Sequence, residues 1–381
     1  MKQRLFVTLS LAGLAMATFG ATKPKTAIKS LNKTTIQQPT YTEWHDLQVN
    51  AINRFPLHTN FFTYPADDWV SEKDGKIVSK DILHMNKTES KYFLSLDGTW
   101  KFNWVANADQ RPTDFYKEDL DDSKWKTMNL PGIWEMNGFG DPEYVNVGFG
   151  WRGHFDQQPP AVPTKDNHVG SYRRIIDIPA NWDGKQVVAH FGSVTSNIYL
   201  YVNGKFVGYA EDSKVAAEFD ITPYLKKGKN LIAFQTFRWC DGSWDEDQDF
   251  WRLSGVARES YLFARDAQLH LEDIRVTPDL VNNYKNGVLN ISAKVKGTGK
   301  LNFILFDKEG KQVATATGLA KNGTANITMN VENPHKWNAE TPYLYTLQVS
   351  LSSALKNGNM KSASMTPVKV GFRKVEIKNK Q

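Results

Sequence analysis

Apolar and polar residues alternate along short stretches of this chain, and turn residues separate the stretches. The clearest case is Ile198–Val202, followed by Asn203-Gly204 and then by Lys205–Tyr209. Asn-Gly between two alternating runs predicts a β-hairpin, because both central residues of its tight turn need a positive φ. Few stretches repeat their apolar residues at the period of 3.6 that an α-helix requires. The pattern therefore predicts a protein built mainly of β-strands.

Further strands are predicted on both sides of a change in composition near residues 264–268. Aromatic residues are frequent before this point and thin out after it, where a more regular series of strands begins. The predicted strands of the first part include Ser171–Ile178, Val187–Phe191 and Leu231–Trp239. Those of the second part are Ile274–Thr277, Val288–Val295, Leu301–Asp307, Gln312–Ala316, Ala325–Val331, Tyr343–Leu351 and Val368–Val375, with turns at Lys308–Gly310 and Lys321–Gly323.

These patterns predict an all-β fold class with two sandwiches in series. Residues 41–265 are expected to form a jelly-roll β-sandwich. Residues 266–378 are expected to form an immunoglobulin-like β-sandwich of seven short strands. The chain has a single cysteine, Cys240, which lies outside the second sandwich. The disulfide of antibody domains is therefore not expected there, and an intrachain disulfide is excluded.

The N-terminus predicts that the protein is secreted or periplasmic. Two basic residues precede an apolar run from Leu5 to Ala17, and small residues follow it. This order is typical of a secretory signal peptide, here residues 1–21, and the apolar run is shorter than the roughly 20 residues of a membrane span. Residues 22–40 are rich in Lys, Thr and Gln, and they are expected to form a disordered leader.

Composition and charge argue against several classes of function. The 381 residues include 47 Lys and Arg against 41 Asp and Glu, but the excess of bases lies at the two ends of the chain. A nucleic-acid-binding protein needs a basic face on its folded body instead. The sequence contains neither H-E-x-x-H nor G-x-S-x-G, and no helix is predicted after its glycine-rich stretch. Zinc, serine-hydrolase and nucleotide sites are therefore not predicted.

One segment, Arg238–Arg252, combines acidic and aromatic side chains. Its acids are Asp241, Asp245, Glu246, Asp247 and Asp249, and its aromatic residues are Trp239, Trp244, Phe250 and Trp251. Aromatic rings stack on the apolar faces of sugars, and carboxylates accept hydrogen bonds from hydroxyls or hold a hard cation. The alternative is a solvated acidic loop whose tryptophans pack in the sandwich core. The segment alone leaves both readings open.

A second segment, Asp141–Arg152, is a loop rich in glycine and aromatic residues. Long loops inside a compact domain are usually functional. The alternative is a surface excursion that packs on a neighbouring domain. Cys240 has no motif around it and is expected to be a buried, unreactive thiol rather than a nucleophile.

A series of short motifs runs through the chain from about residue 41 to residue 378. They are Leu96–Phe102, Leu130–Trp134, Tyr144–Val147, Gly170–Arg173, Val202–Gly204, Glu218–Asp220, Arg238–Gly255, Val331–Pro334, Trp337, Thr341–Tyr345 and Val370–Val375. With these motifs the chain resembles the N-terminal part of bacterial β-galactosidases of glycoside hydrolase family 2. The run through Glu246-Asp-Gln-Asp-Phe-Trp-Arg252 is specific to the β-galactosidase branch. β-Glucuronidases and β-mannosidases share the architecture but not this run.

The resemblance implies an architecture and a set of ligands. In the family, a jelly-roll sugar-binding domain and an immunoglobulin-like domain precede a (β/α)8 barrel that carries both catalytic glutamates. The resemblance implies that Asn146 and Asp249 bind galactose, and that Asp249 also helps to hold a sodium ion shared with the barrel. Some members bind a magnesium ion through the residue that corresponds to Asp241. A neighbouring ligand in those members is an amide, where this chain has Glu211.

The expected function follows from the resemblance and from the end of the sequence. No barrel is present before Gln381, so no catalytic residue is expected in this chain, because retaining hydrolysis needs two carboxyl groups about 5 Å apart. We expect the non-catalytic N-terminal portion of a secreted β-galactosidase, which shapes the galactose subsite and scaffolds a barrel in cis or in trans. One alternative is a stand-alone carbohydrate-binding protein. Another is a structural or interaction module, such as part of a homo-oligomer.

Overall fold

The computed structural model of the protein describes residues 38–73, 76–79, 85–151, 153, 155–354 and 360–377. These residues all lie in one compact unit. The expected signal peptide and most of the expected leader lie outside them. Nearly all of the regular structure is β, which confirms the predicted fold class. No helix in the described ranges has the length and apolar character that a membrane crossing requires.

The described residues form 24 strands. The first twelve are β1 (Ala51–Ile52), β2 (Tyr64–Pro65), β3 (Val70–Lys73), β4 (Lys76–Ser79), β5 (Phe93–Ser95), β6 (Gly98–Val105), β7 (Lys126–Leu130), β8 (Gly132–Ile133), β9 (Glu143–Val145), β10 (Val169–Ile178), β11 (Gln186–Phe191) and β12 (Val194–Thr195). The others are β13 (Ile198–Val202), β14 (Lys205–Ala210), β15 (Ala217–Asp220), β16 (Gly228–Phe237), β17 (Phe250–Arg252), β18 (Gly255–Val256), β19 (Ser260–Arg265), β20 (His270–Val281), β21 (Asn286–Phe306), β22 (Gln312–Val331), β23 (Tyr345–Ala354) and β24 (Met360–Val370).

The helices of the described residues are short. One is an α-helix of four residues, α1 (Ala66–Trp69). The others are 3₁₀ turns at Glu43–His45, Lys87–Glu89, Ala108–Gln110, Glu135–Asn137, Ala180–Trp182, Thr222–Tyr224 and Asp241–Trp244.

The first sandwich packs a seven-stranded sheet against a four-stranded sheet. The strand orders are β1-β14-β13-β16-β10-β6-β7 and β15-β11-β19-β5. The predicted hairpin is confirmed: β13 and β14 pair antiparallel, and Asn203 and Gly204 between them have φ values of 49° and 75°. The core between the sheets is strongly aromatic and buries Trp100, Trp134 and Trp182 almost completely. The high aromatic content of the first part therefore serves mainly to fill this core.

The second sandwich is built around two long strands, β21 and β22. One edge of β21 pairs with β20 over its first half and with β23 over its second half, while β22 follows the other edge along nearly its whole length. The turn predicted at Lys321–Gly323 is therefore wrong, because β22 continues through it. Asn322 has a φ of 42°, and its side chain accepts a 2.7 Å hydrogen bond from the N–H of Gly297, whose φ is 83°. The two strands bend together at this point instead of turning back.

One further turn of the second sandwich agrees with the sequence prediction, and the end of its last strand does not. The turn predicted at Lys308–Gly310 is confirmed, because the Gly310 N–H donates to the carbonyl of Asp307 at 3.2 Å and the chain reverses there. The strand predicted at Val368–Val375 is wrong beyond Val370, where β24 ends. Among the described residues 371–377, only Phe372 pairs, in an isolated bridge to Lys336.

Residues 53–65, which we call the linking segment, connect the two sandwiches. At the first sandwich, the Phe55 N–H donates to the carbonyl of Glu218 at 2.8 Å. Further along, the Thr59 N–H donates to the Asp273 carboxylate at 3.1 Å. The segment then ends as β2, which pairs antiparallel with β24 at the edge of the second sandwich. It therefore ties the two sandwiches together by backbone hydrogen bonds.

A buried ion-pair cluster lies where the linking segment crosses the first sandwich. The Glu218 carboxylate accepts hydrogen bonds from His190 Nδ1 at 2.8 Å and from His58 Nε2 at 2.9 Å. Burial favours the neutral acid, but the hydrogen bonds and charges of His190 and His58 outweigh it and lower the pKa of Glu218 to about 2. Burial likewise opposes the charged form of His58, but Glu218 raises the pKa of His58 above its ordinary value. The cluster is therefore strongest when His58 is protonated and Glu218 is ionised.

Candidate functional site

The two residues expected to bind a sugar lie beside each other at the end of a two-stranded ribbon. Strands β9 and β17 pair antiparallel, with Val145 opposite Phe250 and Tyr144 opposite Trp251. Asn146 directly follows Val145 and Asp249 directly precedes Phe250, so the register places them at facing positions one step beyond the last pair. Both side chains are exposed. The ribbon thus brings an amide and a carboxylate together from two distant parts of the sequence.

The same ribbon presents aromatic rings next to these polar groups. Tyr144 is 53% exposed and Trp251 is 54% exposed, and their ring centroids are 5.7 Å apart. The Tyr144 hydroxyl donates a 2.5 Å hydrogen bond to Asp249 Oδ1, and this bond raises the pKa of Tyr144. Exposed rings beside hydrogen-bonding groups can recognise both the apolar face and the hydroxyls of a sugar.

Arg252 anchors the ribbon from inside the protein. Its side chain is 5% exposed and forms an ion pair with Asp247. Its guanidinium donates to the carbonyls of Gln248 at 2.5 Å and Phe250 at 2.7 Å, and across the ribbon to the carbonyl of Val145 at 3.3 Å. One side chain therefore holds both strands and the turn that carries Asp249. No motif of the sequence indicates this role for Arg252.

Trp239 and Trp244 pack against a ring of the protein itself, whereas Trp251 is exposed and free to stack on a ligand. Their rings pack against Trp151 of the glycine-rich loop, with centroids 5.4 and 4.7 Å from its ring. Gly150 permits this approach, because a Cβ there would lie 2.6 Å from the Trp239 ring. The alternative reading of packed tryptophans is thus correct for these two residues. The glycine-rich loop therefore packs, through Trp151, on the acidic segment of its own sandwich.

The acidic residues of Arg238–Arg252 occupy different environments. Asp241 is buried, whereas Asp245 and Asp249 are exposed. Glu246 is half-buried and accepts a 2.7 Å hydrogen bond from the N–H of Ser213, and Asp247 pairs with Arg252. A pocket of about 430 Å³ opens beside this segment, lined by Trp239, Asp245, Phe250 and Arg252 among others. Asp241, Glu246 and Asp247 are thus held within the fold, whereas Asp245 and Asp249 face solvent.

A second cluster of acids lies below the surface. Potential ligand atoms of Glu211, Cys240 and Asp241 lie within 4.8 Å of one another, and all three residues are buried. Burial raises the pKa of Glu211 to about 8, and the neighbouring Asp241 adds to the shift. Burial also raises the pKa of Asp241, whose Oδ2 has no hydrogen-bond partner within the described ranges. Two carboxyl groups with an unsatisfied buried oxygen fit a hard cation, which prefers oxygen ligands.

The thiol of Cys240 is buried, as the sequence analysis expected. Burial raises its pKa well above the ordinary value, so it stays protonated at neutral pH. A protonated thiol is neither a good nucleophile nor a good metal ligand. Of the three side chains, the two carboxyl groups match the oxygen preference of a hard cation, which would have to displace the proton that burial favours on Glu211.

Comparisons with known proteins identify the family of this chain and agree with its fold. A model of the sugar-binding domain of glycosyl hydrolases family 2 matches residues 93–266, and a second model of that family matches residues 269–373. Together the two matches cover nearly three quarters of the chain. The β-galactosidase of Priestia megaterium is 36% identical over 352 residues, which are 89% of this chain and 32% of that protein. The β-galactosidase large subunit of Leuconostoc lactis is 32% identical over 347 residues, which are 88% of this chain and 52% of that protein.

The chain thus spans about a third to a half of the length of these relatives. Among solved structures, a β-glucuronidase of Bifidobacterium dentium complexed with coumarin-3-O-glucuronide matches with a TM-score of 0.60, over 75% of this chain and 49% of that one. Its 18% identity supports a shared fold and nothing finer. The chain belongs to glycosyl hydrolase family 2 and contains the sugar-binding and immunoglobulin-like domains of that family.

Proposed function

We propose that this chain is the sugar-binding, non-catalytic N-terminal portion of a secreted β-galactosidase. Asn146 and Asp249 bind hydroxyl groups of a terminal β-galactoside, and Tyr144 holds the carboxylate of Asp249 in place. The observation that carries the proposal is the register of the β9–β17 ribbon, which places this amide and this carboxylate at facing positions. An amide both donates and accepts hydrogen bonds and a carboxylate accepts them, as a ring of hydroxyls requires.

The chemistry of hydrolysis belongs in this proposal to a catalytic barrel, in cis or in trans. Retaining hydrolysis needs an acid/base and a nucleophile about 5 Å apart, and a (β/α)8 barrel holds such a pair on its loops. The greater length of the matched β-galactosidases is consistent with a further domain of this kind. The present chain contributes binding and orientation of the sugar, and its signal peptide directs the product to the periplasm or beyond.

Two cations fit the side chains described above. Asp249 is exposed and uses only Oδ1 for Tyr144, so its other oxygen is available to a sodium ion whose remaining ligands come from the barrel. Glu211 and Asp241 offer buried carboxylate oxygens to a divalent ion such as magnesium. A bound cation would supply positive charge that keeps these carboxylates ionised despite their burial.

Sugar binding is the first test of the proposal. Titration of the chain with galactose in a calorimeter should give weak binding, with a Kd of about 1–10 mM, because Asn146 and Asp249 supply only a few of the hydrogen bonds that the sugar can make. Asp249→Asn should weaken binding by at least about tenfold, since hydrogen bonds to charged groups contribute about 1.5–3 kcal/mol. Asp245→Asn is the matched control, because Asp245 is also exposed and lies on the same segment. Equal losses in both variants, or no heat with wild type, would contradict the proposal.

Magnesium binding to the buried cluster gives a separate prediction. Magnesium at ten times its Kd should stabilise the fold by about 1.4 kcal/mol. This stabilisation corresponds to a rise in Tm of about 2 °C for a chain of this size. Asp241→Asn should remove the rise, and Asp245→Asn should keep it. A rise of the same size in Asp241→Asn would show that the ion binds elsewhere.

A further inference from the structure

The outer edge of β22 is the longest free strand edge among the described residues. β22 spans 20 residues, Gln312–Val331, and it pairs with β21 alone. No other strand of the described residues pairs with the backbone N–H and C=O groups along its other edge. Edges of this kind pair with additional strands unless charge, proline, a bulge or short length prevents it.

The other outer strands of the two large sheets are protected in these ways. β1 and β2 have two residues each, and β2 contains Pro65. β7 has five residues and begins with Lys126. β20 is longer, with 12 residues, but it carries Pro278, several charged side chains and a register shift between Leu271 and Asp273. Each of these edges is a poor template for a further strand.

The second half of β22, Gly323–Val331, has none of these protections, and we call it the open arm. It contains no charged residue and no proline. Its register with β21 is regular, running from Gly323 opposite Val295 to Val331 opposite Gly287. The bend at Asn322 and the charge of Lys321 lie just before it. The open arm is thus a straight, uncharged edge of nine residues.

The side chains of the open arm suit pairing with an identical strand. Its exposed face carries Thr324, Asn326, Thr328 and Asn330 in alternation. An antiparallel partner centred on Ile327 would place Thr324 opposite Asn330 and Asn326 opposite Thr328, so that every threonine faces an asparagine. The chain already uses such a pair, because Thr328 lies opposite Asn290 of β21 and donates to its side chain at 3.2 Å.

We propose that the open arm pairs antiparallel with the open arm of a second copy of this chain, about a two-fold axis at Ile327. The contact joins the β20–β21–β22 layers of two copies into one continuous sheet. It extends the Asn290–Thr328 pair into a row of three side chains, the third being Asn326 of the second copy. The contact is isologous and closes at two copies, so it produces a dimer rather than a filament.

The proposal is tested by two double variants that differ only in the sign of one charge. Thr324 and Asn330 face each other between copies but lie six positions apart within one copy. Thr324→Lys/Asn330→Lys places like charges opposite each other, and Thr324→Glu/Asn330→Lys places opposite charges there. Sedimentation equilibrium of the full chain at about 1–100 μM would measure the dimer constant. Circular dichroism and Tm would confirm that both variants fold.

We expect wild type to dimerise with a micromolar Kd, the like-charge variant to weaken the dimer at least tenfold, and the opposite-charge variant to stay within about threefold of wild type. A wild type that remains monomeric throughout would overturn the proposal. Equal behaviour of the two double variants would also overturn it, because the register centred on Ile327 requires them to differ. Sugar binding at Asn146 and Asp249 is independent of either outcome.

Discussion

Arg252→Ala is expected to reduce the free energy of unfolding by about 3–5 kcal/mol, because removing one member of a buried ion pair leaves the other charge uncompensated. Asp247 would lose its partner, and the carbonyls of Gln248, Phe250 and Val145 would each lose a hydrogen bond. Because these bonds fix the ribbon, galactose binding should disappear together with the stability. Arg252→Lys should recover only part of the loss, since an ammonium cannot reproduce the planar fork of a guanidinium.

Urea unfolding measures this effect, and Lys226→Ala provides the matched control. Lys226 also pairs with an acid, Glu118, at 2.7 Å, but the two side chains are 55% and 50% exposed. An exposed pair contributes about 0–1 kcal/mol. If Arg252→Ala cost no more than Lys226→Ala, the buried guanidinium would not be the anchor of the ribbon.

Glu218→Gln is expected to cost about 3 kcal/mol at mildly acidic pH, because it removes the buried charge that His190 and His58 share. Glutamine keeps the size of the side chain, so the loss reports the charge and its hydrogen bonds rather than a cavity. Glu272→Gln is the control, since Glu272 pairs with Lys294 at the surface at 3.3 Å. It should change the free energy of unfolding by less than about 1 kcal/mol.

The pH dependence of stability should identify the same cluster. The pKa of Glu218 is lowered from 4.5 to about 2, so its contribution is present above pH 4.5 and is lost as the pH falls toward 2. The pKa of His58 is raised from 6.5, so its contribution is complete below pH 6.5 and is lost as the pH rises through the folded value. The cluster should therefore stabilise wild type most between pH 4.5 and pH 6.5. Glu218→Gln should flatten the curve of Tm against pH, and an unchanged curve would contradict the assignment.

The β13–β14 hairpin of the first sandwich could be predicted from local sequence, but the bend in the second sandwich could not. Asn203-Gly204 and Asn322-Gly323 are the same dipeptide, and each asparagine has a positive φ. The first turns the chain back into a hairpin, whereas the second bends a strand that continues. The difference arises from a distant partner, since Asn322 bonds to Gly297 of the neighbouring strand. A local signal of this kind fixes the backbone conformation but not the direction the chain takes afterwards.

The residues of the candidate site could be predicted from local motifs, but their contacts with distant parts of the chain could not. Asn146 and Asp249 could be named from motifs, because each lies in a short stretch that resembles a known family. The contacts of Tyr144 and Arg252 could not, because they depend on the register between β9 and β17. Trp239 and Trp251 lie in one acidic segment, yet the first is packed and the second is exposed. Trp239 is buried because Trp151 of the glycine-rich loop packs on it, and this contact cannot be predicted from the sequence pattern.

The linking segment also affects how the protein can be made. Thr63 and Thr366, whose hydroxyls are 2.8 Å apart, are separated by 303 residues, so this contact forms only after the ribosome has produced nearly all of the described chain. Closing a loop of this length costs little additional stability, because the entropic cost of loop closure rises slowly with length. It does delay completion of the sheet. A recombinant fragment that begins at residue 93 lacks β1 and β2, which leaves β14 and β24 as open edges. Producing either sandwich alone therefore requires residues 51–65 as well, supplied in the same chain or as a separate peptide.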